Sequence, residues 1–219
     1  MTKGTVPGPT VRATIAGGTA FAAVVILGLV ITLRASPFGF DDAWMHEVTE
    51  HRSDLWLIPS LVMNFLGGGW FGTFLVPLGV PVVLLVLRRP WTAGYFFVAS
   101  ALSGGLVQVM KATFGRVRPL DVLVQVDLGS FPSGHVANAA TVAVALALIL
   151  RRTWVWVAGV FYVILMALSR TYLGAHWVSD TIGGIALGAA VSILLWAIIS
   201  HRLEAESWRR HNGRDSVTP

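Results

Sequence analysis

The chain has 219 residues, of which 55% are hydrophobic and 12% are charged. Together with a mean hydropathy of +0.71, this composition exceeds what a soluble domain of this length needs and predicts an integral membrane protein. The net charge of +5 does not indicate a nucleic acid partner, because the basic residues stand in pairs between apolar runs, as cytoplasmic loop anchors do. The lack of cysteine excludes disulfides, thiolate metal sites and cysteine nucleophiles.

Apolar runs near 20 residues long recur along the chain. The first follows Lys3 and Arg12 and is longer than a signal-peptide core, with no small-residue cleavage site after it, so we expect a retained span. The fold class predicted is all-α, a bundle of six transmembrane helices. The predicted spans are 13–34, 71–88, 92–114, 134–151, 153–173 and 177–200.

The segment between the first and second spans predicts one or two short surface helices. Phe40, Trp44 and Val48 recur at helical spacing with acids between them, which is typical of a helix lying on the membrane surface. The stretch 54–66 is apolar but short for a span, and fits a second surface helix or an extension packed on the bundle. The glycines at 67–69 are expected to break the chain before the second span.

The distribution of lysine and arginine predicts the orientation. Residues 1–219 are expected to form one membrane domain, with a core at 71–200 and a polar tail at 201–219. With six spans both termini share a side, and that side carries most of the 16 basic residues, including both Arg-Arg turns. We therefore predict cytoplasmic termini and an outward position for the loop ends around His135.

Several cations stand at the outward span ends, against this charge rule. A cation at membrane depth is costly unless it has a partner or a function. Taken singly, each is consistent with a side chain that extends to the interface, but together they accompany two histidines and an aspartate on the same side. These cations are Lys111, Arg116, Arg118 and Arg170.

Two short stretches place reactive side chains near helix starts. In "SRTYLGAHWVSD", His176 and Asp180 are four residues apart and share a face of the helix start. The carboxylate can accept a hydrogen bond from one imidazole nitrogen and fix the tautomer, which leaves the other nitrogen as nucleophile or base. The alternative is a His–Asp pair with structural value only. In "PSGH", Ser133, the amide of Gly134 and His135 begin a helix, where phosphate oxygens bind, although Ser133 could also be an ordinary cap.

A third stretch, "KATFGRVRP", adds Lys111 and Arg118 seven residues apart. Fixed cations, a serine, amide donors and two histidines are what phosphoryl transfer requires: charge on the oxygens is held, one histidine attacks and the other protonates the leaving oxygen. The stretches therefore indicate phosphoryl chemistry at the membrane surface.

The three motifs K-x6-RP, PSGH and SR-x5-H-x3-D resemble the signature of the type 2 phosphatidic-acid phosphatases, a family of integral-membrane lipid phosphatases. Every position matches in order, and the resemblance covers about residues 71–200. It implies that His176 is the nucleophile that forms a phosphohistidine, that Asp180 orients it, and that His135 is the acid and then the base. It also implies a phosphate cradle, our name for Lys111, Arg118, Ser133, Gly134 and Arg170.

The resemblance further implies no metal and no cofactor, and leaves Arg116 with at most a secondary role. The remaining histidines have no motif context and are expected at the surface: His46, His51, His201 and His211.

The implied activity is removal of the terminal phosphate of a lipid phosphate or diphosphate, with undecaprenyl diphosphate, phosphatidylglycerophosphate and phosphatidic acid as candidate substrates. The implied partners are this lipid and the bilayer of the plasma membrane; no nucleic acid partner is expected. Two alternatives stay open: a lipid-to-lipid phosphotransferase using the same site, and a non-enzymatic transporter, against which the lack of an internal repeat argues.

Overall fold

The structure, a computed structural model, describes residues 8–215, so Lys3 and residues 216–219 lie outside it. Within the described residues there are α-helices and one π-helical turn but no strand, which confirms the all-α prediction. The elements are α1 (Pro9–Arg34), α2 (Gly39–Glu50), α3 (Asp54–Gly67), the π-helical turn (Phe71–Leu75), α4 (Val76–Val86), α5 (Pro90–Phe114), α6 (Gly134–Leu150), α7 (Thr153–Tyr172) and α8 (Val178–Asp215).

The membrane-spanning candidates differ in part from the sequence prediction. α6 is apolar but has 17 residues, fewer than the other candidates. The second candidate begins at Asp54 rather than at residue 71, because α3, the π-helical turn and α4 follow one another with a bend at Gly68. The prediction of six spans, and of surface positions for α2 and α3, stays a prediction. Five helical segments are long and apolar enough to cross a membrane: Pro9–Arg34, Asp54–Val86, Pro90–Phe114, Thr153–Tyr172 and Val178–Arg209.

The break before α4 is stabilised by one side chain of α6. Asn138 donates from Nδ2 to the carbonyl oxygens of Gly67 and Gly72, at 3.3 and 2.9 Å. Carbonyls without a partner are costly in a bilayer, so Asn138 allows an apolar helical segment to change its winding there. This places Gly67–Gly72 beside the start of α6.

The centre of the bundle is the contact between α6 and α8. A Cβ at Gly184 would overlap the carbonyl oxygen of Ser133, and one at Gly188 would overlap that of Ala137, so the two backbones touch without side chains between them. Such close backbone packing through small residues is typical of helix contacts in membrane proteins. α1 packs on α8, α7 on α6, α3 on α7 and α4 on α5.

The helix starts of α6 and α8 meet at one end of the bundle. The backbone N–H of Ser133 donates to the carbonyl oxygen of Asp180 at 3.0 Å. α5 ends at the same end, before Gly115, whose φ of 55° suits a glycine and whose N–H caps the carbonyl of Lys111 at 3.0 Å. The motif residues are therefore brought together by three helix ends.

At the opposite end, α8 continues beyond the predicted span. The tail predicted at 201–219 is helical as far as Asp215. Glu206 is buried there and accepts the backbone N–H groups of Trp91 and Thr92, at 2.9 and 3.1 Å, so it caps the first turn of α5. This part of the tail belongs to the packed bundle.

Candidate active site

All the residues predicted for the site lie at the end of the bundle where α6 and α8 begin. Ser133 and Asp180 are fully buried against this site. The other predicted residues line one cavity of about 350 Å³: Lys111, Arg118, Gly134, His135, Arg170 and His176.

His176 directs the lone pair of its Nε2 toward Arg118 in this cavity. Its Nε2 lies 3.3 Å from Nη1 of Arg118, and because a guanidinium can only donate, Nε2 is the acceptor. The proton is then on Nδ1, which lies 3.5 Å from Oδ2 of Asp180, an ion-pair distance rather than a good hydrogen bond. Burial lowers the pKa of His176 to about 4, against the opposing effect of Asp180, so the ring is neutral at pH 7.

The link between α7 and α8 positions His176 relative to Arg170. The backbone N–H groups of Ala175 and His176 both donate to the carbonyl oxygen of Arg170, at 3.1 and 3.3 Å. The turn requires Gly174, whose φ is 66° and where a Cβ would overlap the carbonyl oxygen of Asp121.

His135 is held by the end of α3. Its Nε2 lies 3.2 Å from the carbonyl oxygen of Asn64. A carbonyl only accepts, so Nε2 carries a proton and Nδ1 is the nitrogen available to exchange one. Gly68 packs against the ring so closely that a Cβ there would overlap it, and a Cβ at Gly67 would overlap Met166 and lie 3.2 Å from the ring.

Two members of the phosphate cradle have unused donors. Arg170 is buried and donates from Nη1 to Oδ1 of Asn64. Its Nε, and Oγ of Ser133, are buried with no hydrogen-bond partner among the described residues. Unsatisfied buried donors are costly, so this half of the cradle has the chemistry of a site for a bound anion. Sequence reasoning missed Asn64, which has no motif context.

The other half of the cradle is occupied by an acid that the sequence analysis did not single out. Nζ of Lys111 lies 2.7 Å from both carboxylate oxygens of Asp127, and Nη2 of Arg118 lies 2.6 Å from Oδ1. Partial burial alone would raise the pKa of Asp127, but the hydrogen bond from Lys111 and the two positive charges outweigh it and hold the pKa below its ordinary value. The cavity therefore contains an internal carboxylate anion.

The sequence profile of the PAP2 superfamily matches residues 92–204, which include every position of the three motifs. The chain belongs to the PAP2 superfamily.

Curated PAP2 relatives share about a third of the aligned residues. The chain is 32% identical over 132 residues to an undecaprenyl-diphosphatase of Sulfolobus acidocaldarius, covering 57% of this chain and 64% of that protein. It is 32% identical over 166 residues to phosphatidylglycerophosphatase B of Bacillus subtilis, covering 69% and 74%. A lipid A 1-phosphatase of Rhizobium johnstonii is 33% identical over 118 residues, covering 48% of this chain and 46% of that protein.

Solved PAP2 structures share the fold. The crystal structure of a transmembrane PAP2-type phosphatidylglycerolphosphate phosphatase from Bacillus subtilis superposes with a TM-score of 0.72 at 23% identity, covering 83% of this chain and 96% of that one. The crystal structure of LpxE from Aquifex aeolicus gives a TM-score of 0.61 at 23% identity, covering 75% and 96%.

Behind the PAP2 motif residues, Arg116 joins two buried carboxylates. Its Nη1 lies 2.5 Å from Oδ1 of Asp180, and its Nη2 lies 2.8 Å from Oδ2 of Asp41. Asp41 also accepts the backbone N–H and the hydroxyl of Ser179, at 2.9 and 2.6 Å. Both carboxylates are 0% exposed. Arg116 thus holds the acid behind His176 and does not line the cavity.

Sequence reasoning missed Asp41, because it lies in the segment predicted as a surface helix, where acids are ordinary solvated residues. The structure instead buries the Asp41 side chain of α2 against the first residues of α8. The other histidines agree with expectation: His46, His51 and His201 are exposed, and the side chain of His211 lies outside the described part.

Proposed function

We propose that this PAP2 protein is a lipid phosphatase that removes the terminal phosphate of a lipid phosphate or diphosphate. The observation that carries the proposal is a pair of buried donors with no hydrogen-bond partner among the described residues, Ser133 Oγ and Arg170 Nε, in the site that also holds the neutral His176. A phosphoryl group satisfies such donors, and a site at the end of apolar helices lets the hydrocarbon part of the substrate remain in the bilayer.

In the first step, Nε2 of His176 attacks phosphorus and forms an N–P bond. The bond between phosphorus and the bridging oxygen breaks, and this oxygen leaves with a proton from His135. Charge on the phosphoryl oxygens is held by the phosphate cradle. Asp180 stabilises the positive charge that develops on His176, because its carboxylate lies on the Nδ1 side of the ring.

In the second step, His135 accepts a proton from water, and the hydroxide oxygen attacks phosphorus. The N–P bond breaks and its electron pair returns to His176, which leaves inorganic phosphate in the cradle. The two steps together consume one water and release one lipid alcohol, or one lipid monophosphate when the substrate is a diphosphate.

The relatives support a lipid substrate but name different ones: a prenyl diphosphate, phosphatidylglycerophosphate and lipid A. These lipids share a terminal phosphoryl group on a long apolar body. We therefore propose that shared chemistry as the substrate class, with undecaprenyl diphosphate, phosphatidylglycerophosphate and phosphatidic acid as the first lipids to compare.

The decisive test is phosphate release from these lipids by the purified protein in detergent, with excess chelator present. The cradle uses the chain's own cations, so activity should survive the chelator, and loss that Mg²⁺ restores would contradict the proposal. His176→Ala should abolish release. Release of labelled phosphate to a second lipid instead of water would identify a phosphotransferase.

The phosphohistidine is tested by rapid quench with labelled substrate. His135→Ala should slow hydrolysis of a lipid monoester about 10²- to 10⁴-fold, the usual contribution of a general acid, and less with a nitrophenolate leaving group. Because water activation then fails, labelled His176 should accumulate. Label on Ser133 would reject the assigned roles.

We also propose that the site faces outward across the plasma membrane, from the charge distribution given above. The chain has no cysteine, so single cysteines can be introduced on an unmodified background. A cysteine near Gly129 should react in intact cells with a reagent that cannot cross membranes, and one near Arg152 should not. The reverse pattern would reject the orientation.

A further inference from the structure

Asp127 occupies the place in the cradle where two cations would hold a phosphate. Every donor contact of the Lys111 ammonium that the structure gives is to this one carboxylate, at 2.7 Å to each oxygen. Arg118 donates from Nη2 to Oδ1 of Asp127 at 2.6 Å and from Nε to its backbone carbonyl at 3.0 Å. The remaining contacts of Arg118 go to the carbonyls of Ala175 and Gly129, at 2.5 and 2.8 Å, and to Nε2 of His176 at 3.3 Å.

All five N–H donors of Arg118 and two of the three of Lys111 already have partners, so both cations can hold a phosphoryl oxygen together only if the carboxylate leaves. Asp127 can leave, because its side chain is 54% exposed and it lies outside the helices, in the segment between α5 and α6. The cations cannot follow it, since their side chains are only 6% and 10% exposed. The site therefore has a fixed pair of cations and a movable anion.

We propose that Asp127 is an internal competitor of phosphate. Its carboxylate binds Lys111 and Arg118 before the substrate arrives and swings toward solvent when the phosphoryl group binds. After hydrolysis the carboxylate returns and displaces inorganic phosphate. Two buried cations without a counter-ion would be costly, so the carboxylate stabilises the empty site. The same exchange weakens the binding of the product and makes its release easier. The inference rests on the proposed function for its place in a catalytic cycle, but anion binding can be measured without turnover.

The expected effect follows from competition. Removing the charge of Asp127 removes the anion that phosphate must displace, so phosphate should bind more tightly. The net value of a hydrogen bond to a charged group corresponds to roughly a tenfold to hundredfold change in an equilibrium constant. Since the carboxylate would be displaced by any such anion, the affinities for inorganic phosphate and orthovanadate should rise by the same factor.

The experiment compares the purified protein with Asp127→Asn in detergent at fixed ionic strength, by calorimetric titration with inorganic phosphate and with orthovanadate. Asp127→Asn should lower the Kd for both anions roughly tenfold to hundredfold. Asp127→Ala should do the same, and is the second variant if the first does not fold. Asp127→Glu keeps the charge and should stay near the unmodified protein.

Asp121→Asn is the matched control, because Asp121 is an exposed acid of the same segment that does not line the cavity. It should leave both Kd values unchanged. If phosphate binds equally or more weakly in Asp127→Asn and Asp127→Ala, the proposal is wrong and Asp127 instead positions the two cations for phosphate. If the unmodified protein binds phosphate but hydrolyses no lipid phosphate, the proposed function fails while this comparison of Kd values still decides the role of Asp127.

Discussion

Replacing Arg116 by Met should destabilise the protein and slow catalysis without weakening substrate binding. The substitution removes a guanidinium that lies 2.5 Å from Asp180 and 2.8 Å from Asp41, and both carboxylates are 0% exposed. Removing one partner of a buried ion pair costs about 3–5 kcal/mol. The substitution breaks two ion pairs, but we expect the cost of one, because each carboxylate keeps other hydrogen bonds. Asp180 still accepts the N–H of Trp177 at 2.9 Å, and Asp41 still accepts from Ser179.

The assay is thermal unfolding in detergent, followed by the fluorescence of the nine tryptophans. For a chain of this size about 1 kcal/mol lowers Tm by roughly 2–4 °C, so Arg116→Met should lower Tm by roughly 6–20 °C. The control is Arg151→Met, which breaks a 3.0 Å ion pair with Glu204 whose side chains are 61% and 57% exposed, and which should cost less than about 1 kcal/mol.

Two further measurements separate positioning from a purely structural role. Arg116 does not line the cavity, so kcat should fall while KM stays near its original value. Asp41→Asn combined with Arg116→Met should cost less than the sum of the single changes, by about 0.5–3 kcal/mol, because the residues share one network. A Tm for Arg116→Met equal to that of Arg151→Met, or a loss confined to KM, would refute the reasoning.

Three more predictions follow from single contacts. Burial lowers the pKa of His176 to about 4, so between that value and the ordinary 6.5 the folded state binds fewer protons than the unfolded state. The stability that neutral His176 contributes is therefore complete above pH 6.5 and is lost as the pH falls toward 4. The slope of Tm with pH should be smaller in His176→Ala. Gly188→Val should separate α6 from α8 and abolish activity, whereas Gly18→Val, with open space around its Cβ, should be tolerated; equal activities would contradict the close packing. Asn64→Ala removes the acceptor that holds Arg170, so it should lower Tm and raise KM about tenfold in steady-state assays. Asn64→Asp keeps an acceptor and should restore Tm but not KM, because its negative charge repels phosphate.

The sequence by itself determined that the chain is helical and which residues belong to the three motifs. Apolar runs must be helical in a bilayer, because each backbone group needs a partner within its own segment, so most helix bounds differ from the predicted spans by a few residues. The motif residues were found because their spacing is local: His176 and Asp180 are four apart on one helix start, and Ser133 and His135 begin another.

What only the tertiary structure decided are the contacts between distant segments. The passage of α3 into α4 within the second candidate span is supported by Asn138, which satisfies the carbonyls of a glycine break 66 and 71 residues away. Asp41 reaches Arg116 across 75 residues and Ser179 across 138, and no local pattern separates a buried acid from a solvated one. Asp127 is an ordinary loop acid in the sequence, and it becomes an anion in the phosphate cradle because the ends of α5, α6 and α8 meet at one end of the bundle and hold its two cations in place.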